Sequence, residues 1–220
     1  MILKLTIFDL DNTLLAGDSD YAWGQFLVDK GIVDKKAYVE KNDYFYREYR
    51  RRSLDIHEYQ RFILTPIMSL GASQREVLRE QFIKEVVEPL RLPKADALIR
   101  HHQHQGDQLL IITATNRFIA GPIGPLLGID KMLATEPEVI NGQFTGAIAG
   151  TPCFQKGKIT RLQEWLQDQS LKPTRLTFYS DSINDLPLLE YSDKAIAVDP
   201  DEHLKQHANK RGWPVISLRE

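Results

Sequence analysis

Asp9 and Asp11 stand two residues apart in the segment Asp9-Leu10-Asp11-Asn12-Thr13, directly after an apolar run that ends Leu5-Thr6-Ile7-Phe8. Two more apolar runs end in polar clusters: residues 109–112 lead into Thr113-Ala114-Thr115-Asn116, and residues 176–179 into Ser180-Asp181-Ser182-Ile183-Asn184-Asp185. Lys158 lies between the second and third clusters, at the start of a helical pattern. Cleavage of a phosphate ester needs this assortment. The phosphoryl group is an anion, so carboxylates can face it only if a divalent cation and fixed positive charge offset the repulsion. Magnesium takes oxygen ligands and keeps several waters, so two or three protein oxygens suffice. Asp9, Asp181 and the main-chain carbonyl of Asp11 can supply them. Asp9 could attack phosphorus to form an acyl-phosphate. Asp11 could protonate the leaving alkoxide and then activate water. Thr113, Lys158 and neighbouring N–H groups would bind the phosphoryl oxygens, with Asp185 orienting Lys158 or a metal-bound water.

Each feature alone has a plainer explanation. Asp-x-Asp after a strand is commonly a turn, Thr113 could be a cap, Lys158 a solvated helix start, and Asp181 and Asp185 the acidic first turn of a helix. All four in this order, each beside a strand or helix end, make coincidence the poorer account.

Stepping from residues to elements, the runs before the clusters read as buried strands, and ligands of open α/β sheets gather at the C-terminal ends of such strands. Residues 18–88 hold no convincing strand. Asp18 or Ser19 can cap a helix carrying Ala22, Trp23, Phe26 and Leu27, with Gly31 beyond its end. Further helical patterns pass through Tyr38, Phe45 and Tyr49, and through Ile56, Tyr59 and Ile63. Ser73-Gln74-Arg75-Glu76 has capping-box spacing before Val77, Leu78 and Phe82. A helix from Pro93 to Gln105, a hairpin around Asn141-Gly142, a helix with Ile159, Leu162, Trp165 and Leu166, and strands near residues 131–134, 195–198 and 215–218 complete the pattern. Alternating strands and helices predict an α/β fold: a Rossmann-like, mainly parallel sheet with helices on both faces. The domain boundaries are an α/β core at 1–16 and 89–220, with an inserted helical cap at 17–88.

The 220 residues carry 28 basic and 30 acidic side chains. That balance gives no broad attraction to nucleic acid or anionic membranes. One cysteine, Cys153, excludes an intrachain disulfide and a Cys-based zinc site. The N-terminal apolar run is too short for a signal peptide or a membrane span, so a cytoplasmic protein is expected. Gly121-Pro122-Ile123-Gly124-Pro125-Leu126-Leu127-Gly128 lacks dinucleotide-binding spacing. His101, His102 and His104 lie near a helix end, where their charge suits the dipole.

The motifs Asp9-Leu10-Asp11-Asn12-Thr13-Leu14, Thr113, Lys158 and Asp181-Ser182-Ile183-Asn184-Asp185 resemble the four motifs of the haloacid dehalogenase superfamily, along essentially the whole chain. The resemblance implies Asp9 as nucleophile and Asp11 as acid/base. It also implies Thr113 and Lys158 as phosphate ligands, and a Mg2+ site at Asp9, Asp11 and Asp181 with Asn184 and Asp185 in support. The helical block resembles the type-one (C1) cap of the phosphoserine-phosphatase-like branch. Residues flanking the motifs resemble bacterial members assigned as histidinol-phosphatases or phosphoserine phosphatases. Asn12 replaces the serine usual in phosphoserine phosphatases, and only Asp18 and Asp20 stand near the glutamate those enzymes carry. The expectation is therefore a phosphatase of a small phosphorylated metabolite, histidinol phosphate first and phosphoserine second. Candidate substrate contacts are Asp18, Asn116, Arg47 and Arg51, although the run Arg50-Arg51-Arg52 also suits a solvated helix face. A phosphotransferase or mutase, or a non-catalytic binding protein on this fold, remains the alternative.

Overall fold

The computed structural model describes residues 3–219; Met1, Ile2 and Glu220, which the core boundaries include, lie outside the described residues. The strands are β1 (Lys4–Phe8), β2 (Gln108–Asn116), β3 (Met132–Thr135), β4 (Pro137–Ile140), β5 (Gln143–Ile148), β6 (Arg175–Ser180), β7 (Lys194–Val198) and β8 (Val215–Ile216). Between β1 and β2 come the helices α1 (Ser19–Asp29), α2 (Lys35–Arg51), α3 (Ile56–Met68), α4 (Ala72–Phe82) and α5 (Pro93–His104). The short α6 (Arg117–Ala120) and α7 (Ile123–Leu126) follow β2, and α8 (Lys156–Asp168) follows β5. Then α9 (Leu186–Tyr191) follows β6, and α10 (Glu202–Arg211) follows β7.

Six strands form one sheet in the order β3-β2-β1-β6-β7-β8, with every neighbouring pair parallel. The strand side chains alternate between two apolar clusters, as the two-residue period requires. Leu5, Ile7, Leu110, Ile112, Leu176, Phe178, Ala195 and Ala197 face Leu162 of α8, Leu188 and Leu189 of α9, and Leu204 and Ala208 of α10. Phe8, Ile111, Tyr179, Ile196 and Val198 face the other way, toward Ile99 of α5 and the α1–α4 block. Both faces are thus covered by helices. The pair β4–β5 forms a separate antiparallel ribbon. Asn141 (φ 51°) and Gly142 (φ 77°) supply its two left-handed turn positions.

Local chemistry explains the helix starts in the inserted block. Asp18, Asp34 and Asp55 cap α1, α2 and α3 by accepting main-chain N–H groups of their first turns. The start of α4 differs from the capping-box expectation at Ser73. The helix begins at Ala72 behind an extended Gly71, whose N–H donates to Gln74 Oε1 at 3.0 Å. Gln74 reaches back in place of the expected Glu76, and the residue it meets lies two positions before the expected cap at Ser73. His102, expected to act only through its helix end, is a bridging group: its ring nitrogens lie 2.7 Å from Asp107 Oδ2 and 2.8 Å from Tyr179 Oη. The glycine- and proline-bearing stretch set aside as a nucleotide loop forms the junction after α6, then α7 and the turn beyond it. Among the described residues, no helix is long and apolar enough to cross a membrane.

Trp23 ties the inserted helices to the sheet. Its ring is fully buried and meets Phe82 at 5.1 Å and Phe118 at 5.8 Å, both edge-on. Phe118 lies just after β2, so this packing joins α1 and α4 to the core. The chain also leaves and re-enters the core at one place, where Leu15 bridges Arg91 and the Ala16 N–H donates to the Leu90 carbonyl at 2.8 Å. Trp23→Ala should therefore lower stability by about 3–5 kcal/mol, read as a shift of the urea midpoint. A loss under about 1 kcal/mol would show that the inserted helices do not depend on this packing.

Candidate active site

A parallel sheet directs all its strand ends to one edge, and the order β2-β1-β6 makes the three polar clusters neighbours there. Asp9 extends the ladder by one residue, its N–H donating to the Tyr179 carbonyl at 2.9 Å. Lys158 arrives from the first turn of α8. That turn demands Gly157, where a Cβ would lie 2.1 Å from the Pro152 carbonyl oxygen. Lys158 is 3% exposed, and its ammonium donates to Asp9 Oδ1 at 2.8 Å and to Asp185 Oδ2 at 2.7 Å. Asp185 also accepts from Ser180 Oγ at 2.8 Å.

Asp11 points elsewhere. Its Oδ1 accepts the Ser19 N–H and its Oδ2 accepts the Thr115 hydroxyl, each at 2.6 Å. Thr13 holds Asp181 twice: its hydroxyl donates to Asp181 Oδ1 at 3.2 Å and accepts the Asp181 N–H at 3.0 Å. Thr113 is buried, with its hydroxyl oxygen accepting the Thr115 N–H at 3.2 Å. Asn184 spans the two layers, donating to the Tyr49 carbonyl at 3.0 Å and accepting from Gln155 Nε2 at 3.2 Å. The Tyr49 hydroxyl donates to Ser182 Oγ at 3.1 Å, so the end of α2 rests on the loop that carries Asp181.

This much negative charge in a dry place shifts its own equilibria. Burial raises Asp9 to about 7, against the pull of Lys158 and with the push of Asp185. Burial also raises Asp11 to about 6, with Asp18 adding to it and bonds from Ser19 and Thr115 opposing it. Asp181 is raised well above the usual carboxylate range by burial, then by Asp9 and Asp185. Burial works against the Lys158 ammonium, but Asp185 and Asp9 outweigh it and hold the proton more firmly than usual.

A cavity opens over these groups. The core side contributes Asp9, Asp11, Thr113, Thr115, Lys158 and Asp185, and the inserted helices contribute Asp18, Asp20, Asn42 and several aromatic rings. Lys158 is the one cation lining it among the described residues. Arg47 and Arg51 are exposed and do not line the cavity; Arg51 pairs with Glu48 at 3.5 Å. Arginines in the last turn of α2 gain from the helix dipole while facing solvent. Asn116 is fully buried behind Asp20. It caps α6 through the Ile119 N–H and donates to Asp20 Oδ1 at 3.3 Å. Asp181 lies on an adjoining cavity with Asn12 and Asn184.

Some lining residues escaped the sequence reading. Thr113 and Thr115 are two apart on one strand, a same-face signal that could have paired them. Asn42, Phe45, Tyr46 and Tyr49 follow the i, i+3, i+4, i+7 spacing of one helix face, and all four line the cavity. The lone asparagine in that aromatic stripe was the available sign that it was not only core.

Among the described residues, no three or more His, Cys, Asp or Glu side chains gather as a metal-binding group. The Asp11 carboxylate is occupied by Ser19 and Thr115. That leaves the buried Asp9 and the half-buried Asp181, which lie close enough that the charge of Asp9 raises Asp181. Such all-oxygen donors suit a hard divalent cation.

A family model described as haloacid dehalogenase-like hydrolase matches residues 6–190. A histidinol-phosphatase of Neisseria meningitidis serogroup C is 41% identical over 220 residues, covering 98% of this chain and 99% of that protein. The crystal structure of a Bordetella pertussis protein of unknown function superposes with a TM-score of 0.93 at 36% identity, over 99% of this chain and 100% of that one. A substrate-bound phosphoserine phosphatase shares the fold, with a TM-score of 0.73 at 18% identity over 100% of this chain and 95% of that one. The chain belongs to the haloacid dehalogenase-like hydrolases and is one of the family's phosphatases.

Proposed function

We propose that this phosphatase hydrolyses histidinol phosphate through an aspartyl-phosphate on Asp9, with residues 17–88 acting as a cap over the core formed by 1–16 and 89–220. The observation that carries the reading is the cavity itself. A phosphoryl-binding ammonium, Lys158, stands at one side, and the cavity's other charged groups are carboxylates, Asp18 and Asp20 among them. Histidinol phosphate carries an ammonium and an imidazole, which such walls attract. Phosphoserine adds a carboxylate, which would meet buried carboxylates and no arginine. The 41% identical relative named histidinol-phosphatase supports the same choice.

The residues divide the work as follows. Lys158 and the Thr113 hydroxyl bind phosphoryl oxygens. A carboxylate oxygen of Asp9 attacks phosphorus, and the ester oxygen departs with a proton from Asp11, leaving an acyl-phosphate and the free alcohol. The Asp11 carboxylate then takes a proton from water, whose oxygen attacks phosphorus and releases phosphate and the Asp9 carboxylate. Lys158 keeps its proton throughout, because Asp9 and Asp185 favour the charged form. Asp9, Asp181 and the Asp11 carbonyl would hold Mg2+, which supplies charge neutralisation at the phosphoryl group when bound. Thr13 fixes Asp181 for that purpose.

Asp9→Asn should retain the fold and lose turnover by on the order of 10^4-fold or more, because the amide is a poor nucleophile of the same shape. Near-normal phosphate release by that variant would sink the covalent mechanism. Adding Mg2+ to chelator-treated protein at about 100 times its Kd should raise Tm by about 5–10 °C. Asp181→Asn should lose most of that rise; an unchanged rise would remove Asp181 from the site. In a phosphate-release assay, kcat/KM for histidinol phosphate should exceed that for phosphoserine by on the order of 100-fold. Equal values, or a preference for phosphoserine, would overturn the substrate assignment.

A further inference from the structure

Asp18 and Asp20 are neighbours in sequence, yet they face different surroundings. Asp18 caps α1 and raises Asp11 through its charge, so it lies toward the phosphoryl side. Asp20 sits 4% exposed among groups of the inserted helices and the end of β2. Its charge is felt at the phenol of Tyr38, and together with that of Asp18 at the phenol of Tyr59. Its Oδ1 accepts a long hydrogen bond from Asn116 Nδ2 at 3.3 Å, and among the described residues no Lys, Arg or His forms an ion pair with it. Burial, then the charges of Asp18 and Asp11, raise Asp20 well above the usual carboxylate range, so an arriving cation would favour its charged form.

A second, independent feature lies on the same cavity. Asn42 is 5% exposed, its Nδ2 donates to the Tyr21 carbonyl at 3.2 Å, and its Oδ1 is buried without a partner. A buried amide oxygen left unpaired carries its full desolvation cost. Asn42 can sit here because residue 24 is glycine. A Cβ on Gly24 would lie 2.8 Å from Asn42 Nδ2 and 2.9 Å from Tyr38 Cε1. Asn42 Oδ1 thus awaits a donor and Asp20 lacks a cation, and Phe45, Tyr46 and Tyr59 line the same cavity, where aromatic rings suit a planar cation.

We propose that Asp20 and Asn42 form a distal subsite for a planar, N–H-bearing heterocycle of the imidazole class, separate from Asp18, which faces an ammonium nearer the ester. This rests on the reading of the site as a phosphomonoesterase and adds how the far end of the substrate is chosen. Asp20 and Asn42 accept the ring N–H groups, the aromatic stripe of α2 covers the ring, and Asn116 holds Asp20 in place from behind.

The experiment compares three phosphomonoesters with Mg2+ present: histidinol phosphate (ring and ammonium), 3-(imidazol-4-yl)propyl phosphate (ring alone) and O-phosphoethanolamine (ammonium alone). Asp20→Asn should lower kcat/KM on the two ring-bearing esters by about ten-fold more than on phosphoethanolamine, chiefly through KM. Asp18→Asn should reverse that selectivity, costing most on the ammonium-bearing pair. Gly24→Ala keeps the carboxylate but displaces Asn42 and Tyr38, so it should repeat the ring-selective loss and guards against misfolding of Asp20→Asn. Equal losses on all three esters in both Asp20→Asn and Gly24→Ala would assign these residues to structure and overturn the subsite. If the wild type cleaves phosphoethanolamine but gains nothing from a ring, the subsite falls while the phosphomonoesterase reading stands. If it releases phosphate from none of the three, both fall.

Discussion

Burying an ammonium between two carboxylates is costly unless each charge finds a partner at hydrogen-bond distance. Lys158 meets that condition through Asp9 and Asp185. The requirement propagates outward. The ammonium must enter from the first turn of a helix, which must start against the Pro152 carbonyl, which leaves room only for glycine at 157. Asp185 must reach Lys158 while its backbone turns into α9, and Ser180 braces the carboxylate on its other side. Remove the positive charge and Asp9 and Asp185 would stand buried and uncompensated, with the charge of Asp181 close by. The sheet edge, the helix start and the loop after β6 can therefore be seen as one electrostatic arrangement rather than three.

The same arrangement explains why a single cation suffices for the core while the inserted helices add more negative charge. Lys158 stands at the Asp9 side of the cavity, and among the described residues no other cation lines it beside Asp18 and Asp20. The cavity is polarised along its length. A substrate with a negative head and a positive body would complete both halves, whereas one with negative charge at both ends would leave the inner half worse off. On the proposed reading, charge layout more than shape would separate histidinol phosphate from phosphoserine.

The gathering of polar residues at the sheet edge was legible because each residue there is announced by a local pattern. Asp9, Thr113 and Asp181 follow apolar runs of strand length, Lys158 opens a helical period, and parallel pairing brings strand ends together whatever the intervening sequence. The same alternation of runs and helices gave a parallel sheet covered on both faces, but not the order β3-β2-β1-β6-β7-β8, which depends on the crossovers. The walls supplied by α1–α3 were much less legible. Whether Tyr59 or Arg47 turns inward depends on how α2 and α3 rotate against their neighbours, which packing between distant segments decides. Arg47 and Arg51 reached solvent because the face bearing Asn42, Phe45 and Tyr49 turned inward instead. The start of α4 illustrates a finer limit: a helix start near Ser73 was readable, but not that Gln74 would reach back to an extended glycine at 71.

The contact of Trp23 with Phe118 has a thermal consequence. Any motion that lifts the inserted helices off the sheet must wet these rings, since the seam between the two layers is apolar at that point. Exposure of apolar surface carries a positive heat capacity change. An opening equilibrium governed by this seam would then be curved in temperature, with an enthalpy that grows on warming. Site access would follow a bowed van't Hoff plot even where the bond-breaking step itself obeys a straight one.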